Sequence, residues 1–282
     1  KAEAWWRAAS QTPQLAPIWL DGEGSVLLPG NDPDFEWVDS GQTRVPGLVP
    51  LSQAPRQTRS DYVYNANSSH WLTNLTEPLE GYSILYGPEQ TVRSPRTRYN
   101  AQLISTPESM GLTGADRRFT LQTLQGVVTH NGSLFARELR EPLLARCQAH
   151  PLIQLDAGPL DLTPSCKALA NWDGEYQLES RGAHLMREWL TAFRTSGHRD
   201  IKDALFAIPF DPAHGATTPS GLAPWSGAPD LDPALLALAQ AQQRLQAAGI
   251  APDAELGALQ FVQKAAGLTP IPLPGGNSFE GL

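Results

Sequence analysis

Asp61-Tyr62-Val63-Tyr64-Asn65-Ala66-Asn67-Ser68-Ser69-His70-Trp71-Leu72 sets a short β-favouring run directly before a turn rich in amides. It reads as a strand that ends on an asparagine. Asparagine offers an uncharged N–H donor on a short side chain, and a strand would fix where that donor points. Such a group can meet the negative oxygen of a tetrahedral intermediate without competing as an acid or a nucleophile. Asn67 is therefore the candidate oxyanion residue. Asn65 and Ser69 are read as holding the turn through side-chain to backbone hydrogen bonds.

Around this stretch, composition narrows the choice of function. The chain has 282 residues with 29 acidic against 21 basic side chains, a net charge of -8. That balance disfavours phosphate backbones and anionic membranes, so neither nucleic acid nor membrane is expected as a partner. No apolar run approaches the roughly eighteen residues of a membrane span, and the first residues show no signal-peptide pattern. The chain reads as soluble and, if exported, as already processed. His70, His130, His150, His184, His198 and His214 are scattered without metal-ligating spacing, so no metal is expected. There is also no Gly-x-Ser-x-Gly elbow, phosphate-cradling loop or dinucleotide fingerprint, so no cofactor is expected either. Cys147 and Cys166 match neither a zinc pattern nor a redox CxxC. A disulfide in an oxidising compartment is the preferred reading, and two buried thiols are the alternative.

Segment by segment, strands come first and helices later. Residues 2–9 read as the end of a helix, and 18–28 as a hairpin about Asp21-Gly22-Glu23-Gly24. Residues 31–59 read as a long surface loop. Helices are expected over 89–104, 118–128 and 134–147, the last two as core helices, with Pro142 a kink or a second start. Ser180 is read as the cap of a helix whose stripe is Met186, Trp189, Leu190 and Phe193. Asp232-Pro233 opens a long helix that ends at Gly249, and a final strand is expected over 258–263. The resulting fold class is α+β, in three parts: 1–88 rich in strand and loop, 89–250 mainly helical, and 251–282 a return strand with a Pro/Gly-rich end. That end carries no evident stop.

The same chain carries a resemblance. The Asn65-x-Asn67-x-Ser69 pattern is followed by Pro78-Leu79-Glu80-Gly81 and Arg93-Ser94-Pro95-Arg96-Thr97-Arg98. Asn171-Trp172-Asp173-Gly174, Ser180-Arg181-Gly182-Ala183-His184-Leu185, Pro209-Phe210-Asp211-Pro212 and Pro272-Leu273-Pro274-Gly275-Gly276 come after them. In this order they resemble the large subunit of penicillin-acylase-type N-terminal-nucleophile hydrolases, in the acyl-homoserine-lactone acylase and aculeacin acylase branch. Nearly the whole chain is covered.

The resemblance implies a four-layer αββα sandwich with C-terminal helices, completed by other chains of the same autoprocessed precursor. It implies an amide hydrolase that acts on N-acyl-homoserine lactones, with penicillin-type β-lactams as a further substrate, in the periplasm or outside the cell. The nucleophile in that family is an N-terminal Ser whose own α-amine is the base. Lys1 cannot play that part, so the nucleophile is expected on an upstream polypeptide. Asn67 then matches the oxyanion asparagine. Arg93 matches the arginine that braces it, with Arg96 or Arg98 as alternatives. Two rival readings stand beside this one: an acylase for penicillins or cyclic lipopeptides, and a non-catalytic exported binding module on the same scaffold.

Overall fold

The computed structural model describes residues 31–35, 39, 41–83, 86–107, 113, 116, 118–194 and 201–281. The expected helix over 2–9 and hairpin over 18–28 lie outside the described residues. The chain divides into two compact units, Lys1–Arg93 and Ser94–Leu282.

Within the first unit the described backbone is irregular, with 3-10 turns at Pro33–Phe35, Leu51–Gln53 and His70–Leu72. The strand expected to lead into Asn67 is not formed. Tyr64 does donate its N–H to the Thr73 carbonyl at 3.0 Å. The Tyr62 carbonyl, however, is taken by the Asn74 side-chain amide at 2.9 Å, so a side chain stands where a ladder bond would be. Asn74 is fully buried, and its Oδ1 accepts from the N–H of Thr76 at 3.0 Å and of Glu77 at 3.2 Å. Asp61 is clasped by two bonds from Arg59, at 2.8 and 2.7 Å. A short segment full of Asn, Asp and Thr can thus satisfy its own backbone through side chains, which competes with sheet pairing.

The second unit is helical. Helix α1 spans Pro95–Ser105, later than the expected start near Glu89, and is capped by the Ser94 hydroxyl. The proline explains the delay, because it suits the first helical position and pushes the residue before it out of the helical region. Helix α2, Leu121–Thr129, is capped by Thr120. It is not a core helix as expected, since Leu121, Leu124 and Val128 are 75%, 49% and 77% exposed. Helix α3, Leu134–Ala149, runs through Pro142 and buries Leu134, Phe135, Leu139 and Leu143. Strands β1 (Leu152–Leu155) and β2 (Gly158–Asp161) form a hairpin that leads into α4, Thr163–Asn171. Cys147 of α3 is disulfide-bonded to Cys166 of α4. In the chain-entropy picture a loop of this size contributes about 3 kcal/mol.

Helix α5, Ala183–Thr191, buries Leu185, Met186, Trp189 and Leu190, as the apolar stripe predicts. Its cap is Gly182 and not Ser180. Gly182 holds φ at 101°, and a Cβ there would stand 2.9 Å from the Ala168 carbonyl oxygen, so only glycine fits. Ser180 instead donates to Asp173 Oδ2 at 2.8 Å. Strands β3 (Phe206–Ile208) and β4 (Ser220–Leu222) pair, and Asp232 caps α6, Pro233–Ala247. Helix α6 packs against α5 in one apolar core through Leu235, Leu238 and Leu245. The strand expected over 258–263 is reduced to β5, Phe261–Val262, because α7 (Leu256–Leu259) precedes it; β5 pairs with β6, Ile271–Pro272.

The last described residues are built into the unit. Ser133 Oγ donates to the Glu280 carbonyl at 2.6 Å, and the Leu134 N–H donates to that of Gly281 at 3.2 Å. The Glu280 carboxylate is fully buried on Arg187 Nε at 2.5 Å. Among the described residues the sheet is limited to three two-stranded antiparallel ribbons. Helix and small sheets together make the class α+β.

Candidate active site

Asn67 sits at the apex of an exposed turn with φ at 58°, in the left-handed region. Asparagine tolerates this conformation better than most residues. The neighbouring side chain enforces it, because Asn65 Oδ1 accepts the Asn67 N–H at 2.7 Å while Asn65 Nδ2 donates to the Ser68 carbonyl at 3.3 Å. Asn65 thus closes the turn on itself, the structural role its sequence position suggested. Ser69 does the same downstream as the cap of the His70–Leu72 turn.

Arg93 shares this local structure. The Pro88 carbonyl accepts from Ser69 Oγ at 2.5 Å and from Arg93 Nη2 at 2.7 Å, so one oxygen joins the turn to the arginine. The Arg93 guanidinium also lies 5.0 Å from the centre of the Trp71 ring, a cation–π distance. Trp71 is itself anchored through Nε1 on Glu80 Oε1 at 2.7 Å. Arg93 is only 3% exposed, which makes it a fixed buried cation. Burial pushes the Tyr64 phenol well above its usual value, although the Arg93 charge acts in the opposite direction.

The other arginines have different surroundings. Arg98 lies in α1 and pairs with Glu138 of α3 at 3.0 Å. The Arg96 carbonyl accepts from Asn100 Nδ2, an ordinary contact within the helix. Of these three arginines, only Arg93 belongs to the unit that carries Asn67.

Sequence reading missed Pro88 and Glu89. Glu89 Oε1 stands 2.8 Å from His70 Nε2 and accepts the Tyr82 N–H at 2.9 Å, while Oε2 accepts the Gly81 N–H at 2.8 Å. Burial pushes its carboxyl up, but the bonds from His70, Gly81 and Tyr82 outweigh that and hold it below the usual 4.5. A carboxyl depressed on folding gives stability that is complete above its unfolded value and is lost as pH falls through the folded one. Glu89→Gln is therefore expected to flatten the acid limb of a Tm profile below pH 4.5 and to leave the limb above it parallel to wild type. Equal acid slopes in the two proteins would refute this.

A cavity of about 210 Å³ lies elsewhere, lined by Tyr99, His130, Gly132, Arg137, Asp173 and Glu175. None of the expected site residues lines it. Among the described residues no cluster of three or more His, Cys, Asp or Glu could hold a metal ion, and no helix is long and apolar enough to cross a membrane.

Comparison with known proteins adds a lineage to this geometry. A family model described as penicillin amidase matches residues 1–280. Aculeacin-A acylase of Actinoplanes utahensis is 38% identical over 176 residues, which is 61% of this chain and 21% of that protein. Acyl-homoserine lactone acylase PvdQ of Pseudomonas savastanoi pv. phaseolicola is 29% identical over 257 residues, 90% of this chain and 30% of that protein. The protein of the same name from Pseudomonas syringae pv. tomato is 28% identical, over 90% of this chain and 31% of its own length. The chain thus spans between 21% and 31% of these curated relatives.

Proposed function

This chain belongs to the penicillin amidase family, and from that premise we propose that it supplies the oxyanion side of an amide hydrolase acting on N-acyl-homoserine lactones. One observation carries the reading. Asn67 is pinned at positive φ on an exposed turn, and that turn shares the Pro88 carbonyl with a buried arginine.

In the proposed reaction an N-terminal Ser that is not among residues 1–282 attacks the amide carbonyl. Its hydroxyl proton passes to the α-amine. Asn67 then donates from Nδ2 to the oxygen that becomes negative, from a main chain that Asn65 already fixes before charge develops. Collapse breaks the C–N bond, and the α-amine returns the proton to the leaving amine. Water next attacks the acyl-serine ester through the same oxyanion site and releases the acid. Arg93 contributes position and a fixed positive charge, which favours a neutral, basic amine nearby.

The relatives' names motivate both candidate leaving groups, a homoserine lactone and a lipopeptide nucleus; β-lactams with acyl side chains are a further candidate. We also propose the αββα sandwich as the fold of the complete enzyme, with other chains of one processed precursor supplying the rest of it. An exported location fits the Cys147–Cys166 disulfide, since such bonds persist in oxidising compartments.

The test begins with denaturing intact mass and N-terminal sequencing of the native particle. A polypeptide beginning with Ser is expected in the particle. Incubation with N-acyl-homoserine lactones, aculeacin-type lipopeptides and penicillins should then release free amine from the first most rapidly. No amine from any of the three would overturn the proposal and leave a binding scaffold.

A further inference from the structure

We infer that the His70–Glu89 pair is a positioning device for the oxyanion turn, acting through the backbone that joins it to Asn67. The inference rests on the reading of Asn67 as the oxyanion donor. Asn65 closes only the near side of the turn, through the Asn67 N–H and the Ser68 carbonyl. The far side is set by residues 69–73, whose 3-10 turn starts at His70.

His70 is held from both edges of its ring. Nε2 meets Glu89 Oε1 at 2.8 Å and Nδ1 meets the Tyr86 carbonyl at 3.3 Å. Both neighbours are acceptors, and the shorter contact, to the Glu89 carboxylate, fixes how the ring is turned. The Tyr82 ring packs edge-on at 5.2 Å. The His70 and Glu89 side chains are only 8% and 19% exposed, so water competes weakly for the pair.

Glu89 also gathers the partner segment. It takes the N–H groups of Gly81 and Tyr82, and its neighbour Pro88 carries the carbonyl shared by Ser69 and Arg93. Adjacent residues, 88 and 89, therefore fix the far side of the Asn67 turn and the arginine together. Loss of the pair frees the 3-10 turn to shift, and a donor displaced by even about an ångström loses much of its value in a transition state. His70 and Glu89 are positioning residues, since their polar atoms are taken up by each other, the Tyr86 carbonyl and the Gly81 and Tyr82 N–H groups.

A double-mutant cycle in the complete processed acylase tests this, with rates normalised to correctly processed enzyme by intact mass. The variants are His70→Ala, Asn67→Gly and both together, with kcat and KM measured on an N-acyl-homoserine lactone. His70→Ala is expected to lower kcat about tenfold with KM within about twofold, because the donor acts in the transition state. In the Asn67→Gly background the same change is expected to cost nothing further, since the group it positions is gone. A purely structural role would instead give an additive loss, or a fall in folded fraction with kcat per folded enzyme unchanged, and either result overturns the inference. If His70→Ala does not fold, Glu89→Gln gives the milder version, with a loss of about threefold and the same non-additivity. Impairment of Asn67→Gly without impairment of His70→Ala would overturn this inference alone. Wild-type kcat in Asn67→Gly would overturn the oxyanion reading and this inference with it.

Discussion

Replacing Asn67 with glycine should lower kcat by about two to three powers of ten and leave KM within about twofold. Glycine is the cleaner choice, because Asn67 holds φ at 58° and a glycine accepts that conformation without penalty. Alanine at the same φ carries strain of about 1 kcal/mol, so its rate loss would mix chemistry with folding. The side chain is exposed, and its removal forfeits little packing. The Asn65 bond survives both changes because it uses the Asn67 main-chain N–H. What the variant removes is the proposed donor, and its loss falls on the transition state because the negative oxygen exists only there. Asn67→Asp should be at least as damaging, since a carboxylate offers no donor and repels the oxyanion. Measured kcat and KM on N-acyl-homoserine lactones decide the matter. An Asn67→Gly enzyme within about threefold of wild-type kcat would remove Asn67 from the mechanism.

Much of the second unit was legible because its signals are local. Asp232 followed by Pro233 announces a cap and a first helical residue, and α6 begins there. The Met186, Trp189 and Leu190 stripe lies on one helical face and is buried. The failures are equally physical. Leu121, Leu124 and Val128 mark an apolar face, but periodicity does not say whether anything covers it, and in this structure nothing among the described residues buries it. Tyr62, Val63 and Tyr64 favour strand, yet the Asn74 amide takes the carbonyl that a ladder would need. Ser180 is a good capping residue displaced by a glycine that alone tolerates the approach of Ala168. The site divides along the same line. Asn65, Asn67 and Ser69 were readable as a turn because their bonds run within a few residues. The Ser69–Pro88 and His70–Glu89 links each span 19 residues, and no sequence spacing encodes them.

Arg98→Ala, by contrast, should remove about 3 to 5 kcal/mol of stability while leaving kcat per folded enzyme near wild type. Arg98 is 1% exposed and donates through Nη2 to Glu138 Oε1 at 3.0 Å, while its Nε has no hydrogen-bond partner among the described residues. Burial presses Arg98 below its usual value and Glu138 above its own, and in both it outweighs the attraction between them. The intact pair is therefore nearly balanced against its desolvation, and breaking half of it strands a part-buried carboxylate. Replacing both partners, Arg98→Met with Glu138→Leu, should recover most of the loss. The sign of the pH dependence follows from Glu138. A carboxyl raised on folding holds its proton better in the folded state, so the deficit of Arg98→Ala should shrink as pH falls through the folded value of Glu138. Chemical denaturation of both variants at several pH values, beside kcat, separates this arginine from the one at the site. Loss of kcat at unchanged stability would make Arg98 the bracing arginine in place of Arg93.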